Sequence, residues 1–177
     1  FMVASQQFTT EFEYLNAADG LAQNHVFRVN LDKHGFMWFC TMGGLSKYDG
    51  FTFTNYYYSE EDSTTISSSF TDKFFEDSKG RYWVSTSRGF NRFYRETGKF
   101  KRYLHHSEND NTLGHNSTRG IAEDADGKLW IVHGKGIDKF DPETEVFEHY
   151  YDDKFSVLRH DGDILLTRSG DIWLMGS

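Results

Sequence analysis

The sequence predicts an all-β fold, a β-propeller fragment of about three and a half four-stranded blades. Three observations predict it. The four tryptophans of this 177-residue chain stand at positions 38, 83, 130 and 173, at spacings of 45, 47 and 43, and the same residues recur around each. Aromatic residues make up 18% of the chain, with 17 Phe and 10 Tyr, so the core is largely aromatic, which favours strands. Apolar residues nowhere keep a spacing of three to four over a useful length, so helices are not expected.

Alignment on the tryptophans justifies each element in turn. Nine residues before them the side chain is apolar: Val29, Phe74, Ile121 and Ile164. A first strand runs through that position and ends at an acid six before, Asp32, Asp77 or Asp124, with Thr167 in the fourth unit. Glycine stands three before, as Gly35, Gly80, Gly127 and Gly170. D-x-x-G is a tight turn in which Asp accepts from nearby backbone N–H groups and Gly supplies positive φ. Trp38, Trp83, Trp130 and Trp173 then open a second strand. Gly44, Gly89 and Gly136 turn it into a third that carries Tyr48, Phe93 or Phe140. A further turn leads to a fourth strand, F-x-x-Y, at Phe53–Tyr56, Phe100–Tyr103 and Phe147–Tyr150. The only proline, Pro142, falls in such a turn, where a missing N–H costs nothing.

The frame divides the chain into the last strand of a preceding blade (1–19, on Phe12 and Tyr14), three blades (20–58, 59–104, 105–151) and a partial blade (152–177). One blade cannot bury both faces of its sheet, so neighbours must cover them. The tryptophans are therefore expected as wedges between blades and the repeated aspartates as turn residues. Three and a half units leave raw sheet edges. The chain is thus expected to be a fragment of a longer protein and to form a homo-oligomer, in which a dimer completes a ring of about seven blades.

Charge and composition exclude several classes. A net charge of −8 with scattered basic residues argues against nucleic acid and offers no polybasic membrane anchor. No apolar run reaches the roughly 18 residues of a membrane helix, so attachment is expected only through C-terminal parts beyond Ser177. The opening FMVASQQF lacks the basic region and apolar stretch of a signal peptide. Cys40 is the only cysteine, read as a buried thiol, with no partner for a disulfide framework or a metal cluster.

The stretch GLAQNHVFRVNLDKHGFMWFCTMGGLSKYDGFTFTNY resembles the two-component regulator propeller repeat, and the resemblance extends over Gly20–Ser177. It implies the N-terminal periplasmic sensor region of a hybrid two-component system, a histidine kinase joined to a response regulator. In that family the repeats build two seven-bladed propellers, followed by a β-sandwich, a membrane helix and the kinase. The implied role is recognition of an external signal, often an oligosaccharide released from a glycan. The chain departs from the family's Gly-Thr after the tryptophan, with Cys40-Thr41, Ser85-Thr86 and Val132-His133 in its place, and Thr167 replaces the acid.

No catalytic residue, metal or cofactor is expected. The acid lies six before Trp, whereas an Asp-box places it five before, where Lys33, Ser78 and Ala125 stand here. Adjacent Glu60, Glu61 and Asp62 suit a solvated loop better than the spaced carboxylate pair of a glycosidase. An EF-hand frame on Gly127 puts Ala122 and His133 at ligand positions that need oxygen. His105 and His106 would point to opposite faces of a strand. No nucleophile elbow, P-loop or dinucleotide fingerprint occurs. The chain itself is thus read as no enzyme.

A ligand is expected on the face shared by the loops before each first strand and those between second and third strands, around the central channel. The first set holds Asn24, His25, His115 and Asn116, and the second Arg88, His133 and Lys135; Arg119 lies just inside the third blade's first strand. These suit sugar hydroxyls, with Arg88 and Lys135 available to a carboxylate or sulfate. The alternatives are a propeller that serves only as a scaffold for protein–protein contact or dimerisation, and, less favoured, a glycan-active enzyme.

Overall fold

A computed structural model describes residues 13–152, 155, 162–167 and 169–176. Among the described residues the regular elements are fourteen strands and the 3-10 turn Ala17–Asp19. Strands β1 (Val26–Leu31), β2 (Met37–Thr41), β3 (Leu45–Tyr48) and β4 (Phe53–Tyr56) pair in sequence order, each antiparallel to the next. The same meander recurs as β5 (Thr71–Glu76), β6 (Tyr82–Thr86), β7 (Gly89–Tyr94) and β8 (Lys99–Tyr103). It recurs again as β9 (Thr118–Glu123), β10 (Leu129–His133), β11 (Gly136–Asp141) and β12 (Val146–Tyr150). A two-stranded sheet of β13 (Asp163–Leu166) and β14 (Ile172–Met175) follows. The first strands β1, β5, β9 and β13 pack side by side, and the fold is an all-β propeller fragment. Tyr14 is exposed and in no strand, while Phe12 lies outside the described residues. Between them and β1 sits the 3-10 turn Ala17–Asp19, capped by Asn16, whose Oδ1 accepts from the Ala18 N–H at 2.7 Å.

The repeated aspartate does more than shape a turn. In the first three blades one carboxylate oxygen accepts two turn N–H groups. These are His34 and Phe36 on Asp32, Lys79 and Arg81 on Asp77, and Asp126 and Lys128 on Asp124. The other oxygen accepts the indole N–H of the tryptophan six residues on, at 2.9, 2.9 and 3.0 Å. Gly35, Gly80 and Gly127 close the turn with φ of +86°, +75° and +75°, a conformation that a side chain would strain. One carboxylate thus ties strand one, the turn and the core side chain of strand two. Where Thr167 replaces the acid, its Oγ1 accepts the Asp171 N–H and shares a hydrogen bond with the Ser169 hydroxyl.

With its polar edge satisfied, each indole can be buried against the next blade. Trp38 is fully buried and stacks on Phe74 of the second blade, centroids 4.4 Å apart and planes within 9°, with Tyr82 and Phe93 edge-on. Trp83 is likewise buried, against Phe140 and among Ile121, Leu129 and Ile131 of the third blade. Trp130 is half-buried beside Ile164 and Leu174 of the last sheet. Trp173 departs from the expected wedge: it is 63% exposed, because no described strand packs on its far side. The apolar residue nine before each tryptophan meets the preceding blade's indole, so Val29, at the other end, is 48% exposed for the mirror-image reason.

Polar stitches join successive blades at both ends of the sheets. At one end Thr71 Oγ1 accepts from the Thr41 N–H and donates to the Thr41 carbonyl, and Thr118 does the same to Thr86. At the other, Glu76 accepts from the Lys33 N–H and Glu123 from the Ser78 N–H and hydroxyl.

Asp77 is fully buried and also carries the Arg81 Nε at 2.6 Å. Asp77→Ala is expected to destabilise the chain by about 3 kcal/mol, since it leaves a buried indole N–H, two amides and a guanidinium without their acceptor. Asp124→Ala should cost less, because Trp130 is partly hydrated. Urea unfolding followed by tryptophan fluorescence measures both.

Candidate functional site

The first strand of each full blade carries a β-bulge near its start. Pairing steps from Val26↔Thr41 to Arg28↔Cys40, from Thr71↔Thr86 to Lys73↔Ser85, and from Thr118↔His133 to Ile121↔Ile131. The residues at the step are Phe27, Asp72 and Arg119 with Gly120. A bulge bends its strand and re-aims side chains, and here it gathers polar groups from the innermost strands of four successive sheets. Arg28 reaches Asp163 at 3.0 Å and Asp72 at 3.6 Å; Lys73 reaches Asp163 at 2.7 Å; Arg119 reaches Asp72 at 3.7 Å. Three cations therefore share two carboxylates along the propeller axis.

The two acids differ. Burial pushes the Asp72 carboxyl up, and the Arg28 and Arg119 guanidiniums offset that only in part. Burial acts on Asp163 too, but the hydrogen bond from Lys73 outweighs it and holds that carboxyl low. Asp72 Oδ1 is buried with no hydrogen-bond partner among the described residues. A buried acceptor in that state gains from any hydroxyl or amide brought to it. Beside this network His25, Phe27 and Phe70 form an aromatic row, with centroids 4.7 Å apart at each step, and Phe27 is 38% exposed.

The loops on this face are held by a clamp that recurs in each blade. The third-strand residues Ser46, Asn91 and Asp138, all fully buried, accept from the loop amides of Ala22, Ser67 and Gly114 at 3.0, 2.9 and 2.7 Å. The fourth-strand residues Asn55, Arg102 and His149 reach loop carbonyls of Gly20, Thr65 and Asp110. The mouth is accordingly preformed rather than draped.

The expected ligand residues separate on this frame. Asn24 and His25 are exposed just before β1, although the Asn24 side-chain Oδ1 already accepts from the Ala17 N–H. Arg88 and Lys135 are exposed at equivalent turns of adjacent blades. Arg119 is part of the axial network. His115 is half-buried, its imidazole kept below its ordinary pKa by burial and by His133 and Lys135. Asn116 is occupied in holding the His105 N–H at 2.7 Å. His133 is not a loop residue: it ends β10, is fully buried, bonds Asp138 at 2.9 Å through Nε2 and accepts the Lys135 N–H on Nδ1. Its place in the repeat is that of Thr41 and Thr86. Arg28, Lys73 and Asp163 each stand ten residues before a tryptophan, and Asp72 and Arg119 eleven before. They were missed in the sequence because the residue type at these two offsets changes from blade to blade, with Gly120 at the tenth and Phe27 at the eleventh; charge recurring at these offsets was the available signal. Cys40 is buried, and burial with nearby Asp72 pushes its thiol up to about 12, which makes it unreactive. No cluster of His, Cys, Asp and Glu arranged to hold a metal occurs among the described residues.

His149 deserves a proton of its own. Both ring nitrogens face acceptors, Asp138 Oδ1 at 2.6 Å and the Asp110 carbonyl at 2.7 Å, so the network assigns an imidazolium. Burial alone would lower its pKa, but the bonds to Asp138 and Asp110 outweigh that and raise it above 6.5. The other titratable groups against it are His133, on the same carboxylate, and Tyr151, stacked 5.6 Å away. A raised histidine stabilises the fold fully below its unfolded pKa and loses that contribution as pH rises through the folded one. The melting temperature should therefore drop more between about pH 6 and about pH 9 in the native chain than in His149→Gln, as read by circular dichroism.

No protein-family model matches the chain. A histidine kinase of Formosa agariphila is 45% identical over 56 residues, which is 32% of this chain and 4% of that protein. The extracellular domain of a hybrid two-component system from B. thetaiotaomicron superposes with a TM-score of 0.73 at 31% identity, over 78% of this chain and 20% of that one. Virginiamycin B lyase from Staphylococcus aureus superposes at 0.64 with 15% identity, over 86% of this chain and 49% of that one, a likeness of fold alone. The chain thus spans a fifth or less of these two two-component proteins. It is similar to the extracellular sensor regions of hybrid two-component systems, as its repeat implied, and no helix among the described residues is long and apolar enough to cross a membrane.

Proposed function

We propose that the chain is a ligand-sensing propeller region of a hybrid two-component receptor, lying in the periplasm, and that it recognises a glycan-derived oligosaccharide at the axial mouth. The observation that carries this reading is the convergence of Arg28, Asp72, Lys73, Arg119 and Asp163 from four inner strands, next to the row His25–Phe27–Phe70. Sugars ask for an apolar platform beside a few fixed donors and acceptors. Asp72 Oδ1, ion-paired to Arg28 at 3.6 Å but without a hydrogen bond among the described residues, is suited to a sugar hydroxyl. The role is binding rather than turnover: the one compact histidine–carboxylate group described above, His133–Asp138–His149, has its ring nitrogens engaged.

The second reading, a scaffold for protein–protein contact, is favoured by the exposed apolar residues Val29, Leu31, Leu165 and Trp173 at the outer blades. Calorimetry against a panel of oligosaccharides, with light scattering on the same samples, separates the two. Heat of binding that falls at least about tenfold in affinity in Asp72→Ala is expected, the cost of losing a buried charged acceptor. No heat with any sugar, together with tight self-association, would favour the scaffold.

A further inference from the structure

The turn that opens the connection from β8 to β9 is a small body closed on itself. Thr112 Oγ1 accepts from the His106 N–H at 3.0 Å and donates to the Asn109 carbonyl at 2.8 Å, while the Asn109 N–H returns to the His106 carbonyl. The connection from β4 to β5 builds the same turn at the spacing of Trp83 from Trp130. There Thr65 Oγ1 accepts from the Ser59 N–H and donates to the Asp62 carbonyl. What fastens the two turns to their blades differs. Arg102 holds the earlier one, donating to the Ser59, Asp62 and Thr65 carbonyls at 2.9, 2.8 and 2.7 Å. A guanidinium keeps its charge at any physiological pH. At the same place in the repeat His149 holds the later turn, through the Asp110 carbonyl at 2.7 Å. One further bond, from the Phe147 N–H to Asn111 Oδ1, docks that turn on β12.

We propose that the 106–112 turn is a pH-sensitive latch, fastened to the third blade by the charged form of His149 and released when that ring loses a proton. A neutral imidazole has one N–H and cannot serve both Asp138 and Asp110. The Asp138 carboxylate, 2.6 Å from Nδ1, is the stronger acceptor and keeps the remaining proton. Nε2 then turns a lone pair toward the Asp110 carbonyl, and the contact becomes repulsive. The groups around the ring leave this step to His149. His133 of β10 shares the Asp138 carboxylate, but its Nδ1 accepts the Lys135 N–H, so it is a neutral ring with its proton on Nε2. Burial pushes Asp138 of β11 up, yet the bonds from His133, His149 and Gly114 prevail and keep it ionised. Tyr151, stacked on the ring, is pushed up by burial and by Asp138 and Asp110, so it stays neutral. Asp110, on the turn itself, adds a negative charge that favours the imidazolium. The turn also walls a cleft of about 380 Å³ between the second and third blades, opposite Tyr103 and Glu145. Release therefore opens that cleft and loosens the segment leading to His115 and Asn116.

Hydrogen exchange read by mass spectrometry on the whole chain tests the latch. The 59–65 turn is an internal reference that cancels the intrinsic pH dependence of exchange. Between about pH 6 and about pH 9 the exchange of 106–112 relative to 59–65 should rise about tenfold, as one charge-assisted bond is lost. His149→Arg copies the fastening of the earlier turn and should abolish the rise. His149→Gln, never charged, should give a ratio that does not change with pH. Where circular dichroism shows that one variant has not folded, the other and the native profile decide. A flat native ratio overturns the inference. A rise that persists in either folded variant overturns it too, because another group would then carry the titration.

Discussion

The bond from a tryptophan indole to the aspartate six residues before it is the constraint on which the rest of this structure depends. An indole is a large apolar surface with one obligatory donor, and burying it between sheets without an acceptor would cancel much of the gain. Asp32, Asp77 and Asp124 supply that acceptor from within the same blade, so the neighbouring blade can present a mainly aromatic and aliphatic surface, with the Tyr82 hydroxyl of the second blade adding one bond to Asp32 at 2.9 Å. The carboxylates are themselves stabilised by the two turn amides that each accepts. Burial pushes Asp32 and Asp124 up, yet the hydrogen bonds that they receive prevail and hold both below the ordinary range. Because each carboxylate takes two amides and an indole from its own blade, most of a blade's polar demand at this turn is met locally while its apolar face stays open to the next sheet.

That division explains why the polar chemistry collects where it does. Packing between blades consumes the apolar positions along each sheet, and the polar stitches at Thr71, Thr118, Glu76 and Glu123 take up the ends. The bulges near the starts of β1, β5 and β9 are where the alternation of buried faces is broken. There alone the inner strands can turn charged side chains toward the axis without burying them in the apolar seams. The site is thus a by-product of closing the sheets, made specific by which residues occupy the break.

The repeat made the architecture legible. Trp38, Trp83 and Trp130, the D-x-x-G turns and the F-x-x-Y strands all stand in the structure where spacing put them, because one residue type at one offset does one job in every blade. Of the residues in the axial charge network, sequence reasoning singled out only Arg119, with His25 in the aromatic row beside it. Phe27, Asp72 and Arg119 occupy equivalent positions yet share no chemistry, so alignment on the tryptophans treats them as noise. His133 was misjudged for the opposite reason: it takes the place of a buried threonine, and a histidine beside a glycine turn reads as a loop residue until its partner, Asp138, is seen five residues on. Trp173 follows the motif and still lies exposed, since an indole's burial is decided by the next sheet and not by its own.

A ligand bound at the mouth would touch groups that belong to different blades, and this bears on how binding can be transmitted. Arg28 on β1 holds Asp72 on β5 and Asp163 on β13, and Arg119 on β9 holds Asp72 in turn. Shifting any one of these ion pairs changes the relative attraction of two sheets whose seams are otherwise rigid, aromatic and close-packed. Such seams do not deform continuously; they favour discrete arrangements, and a ligand biases them only by the difference in its affinity for each. An axial network of shared charges is well placed to create that difference, because its geometry depends on several blades at once while the clamps at Ser46, Asn91 and Asp138 keep each loop fixed to its own.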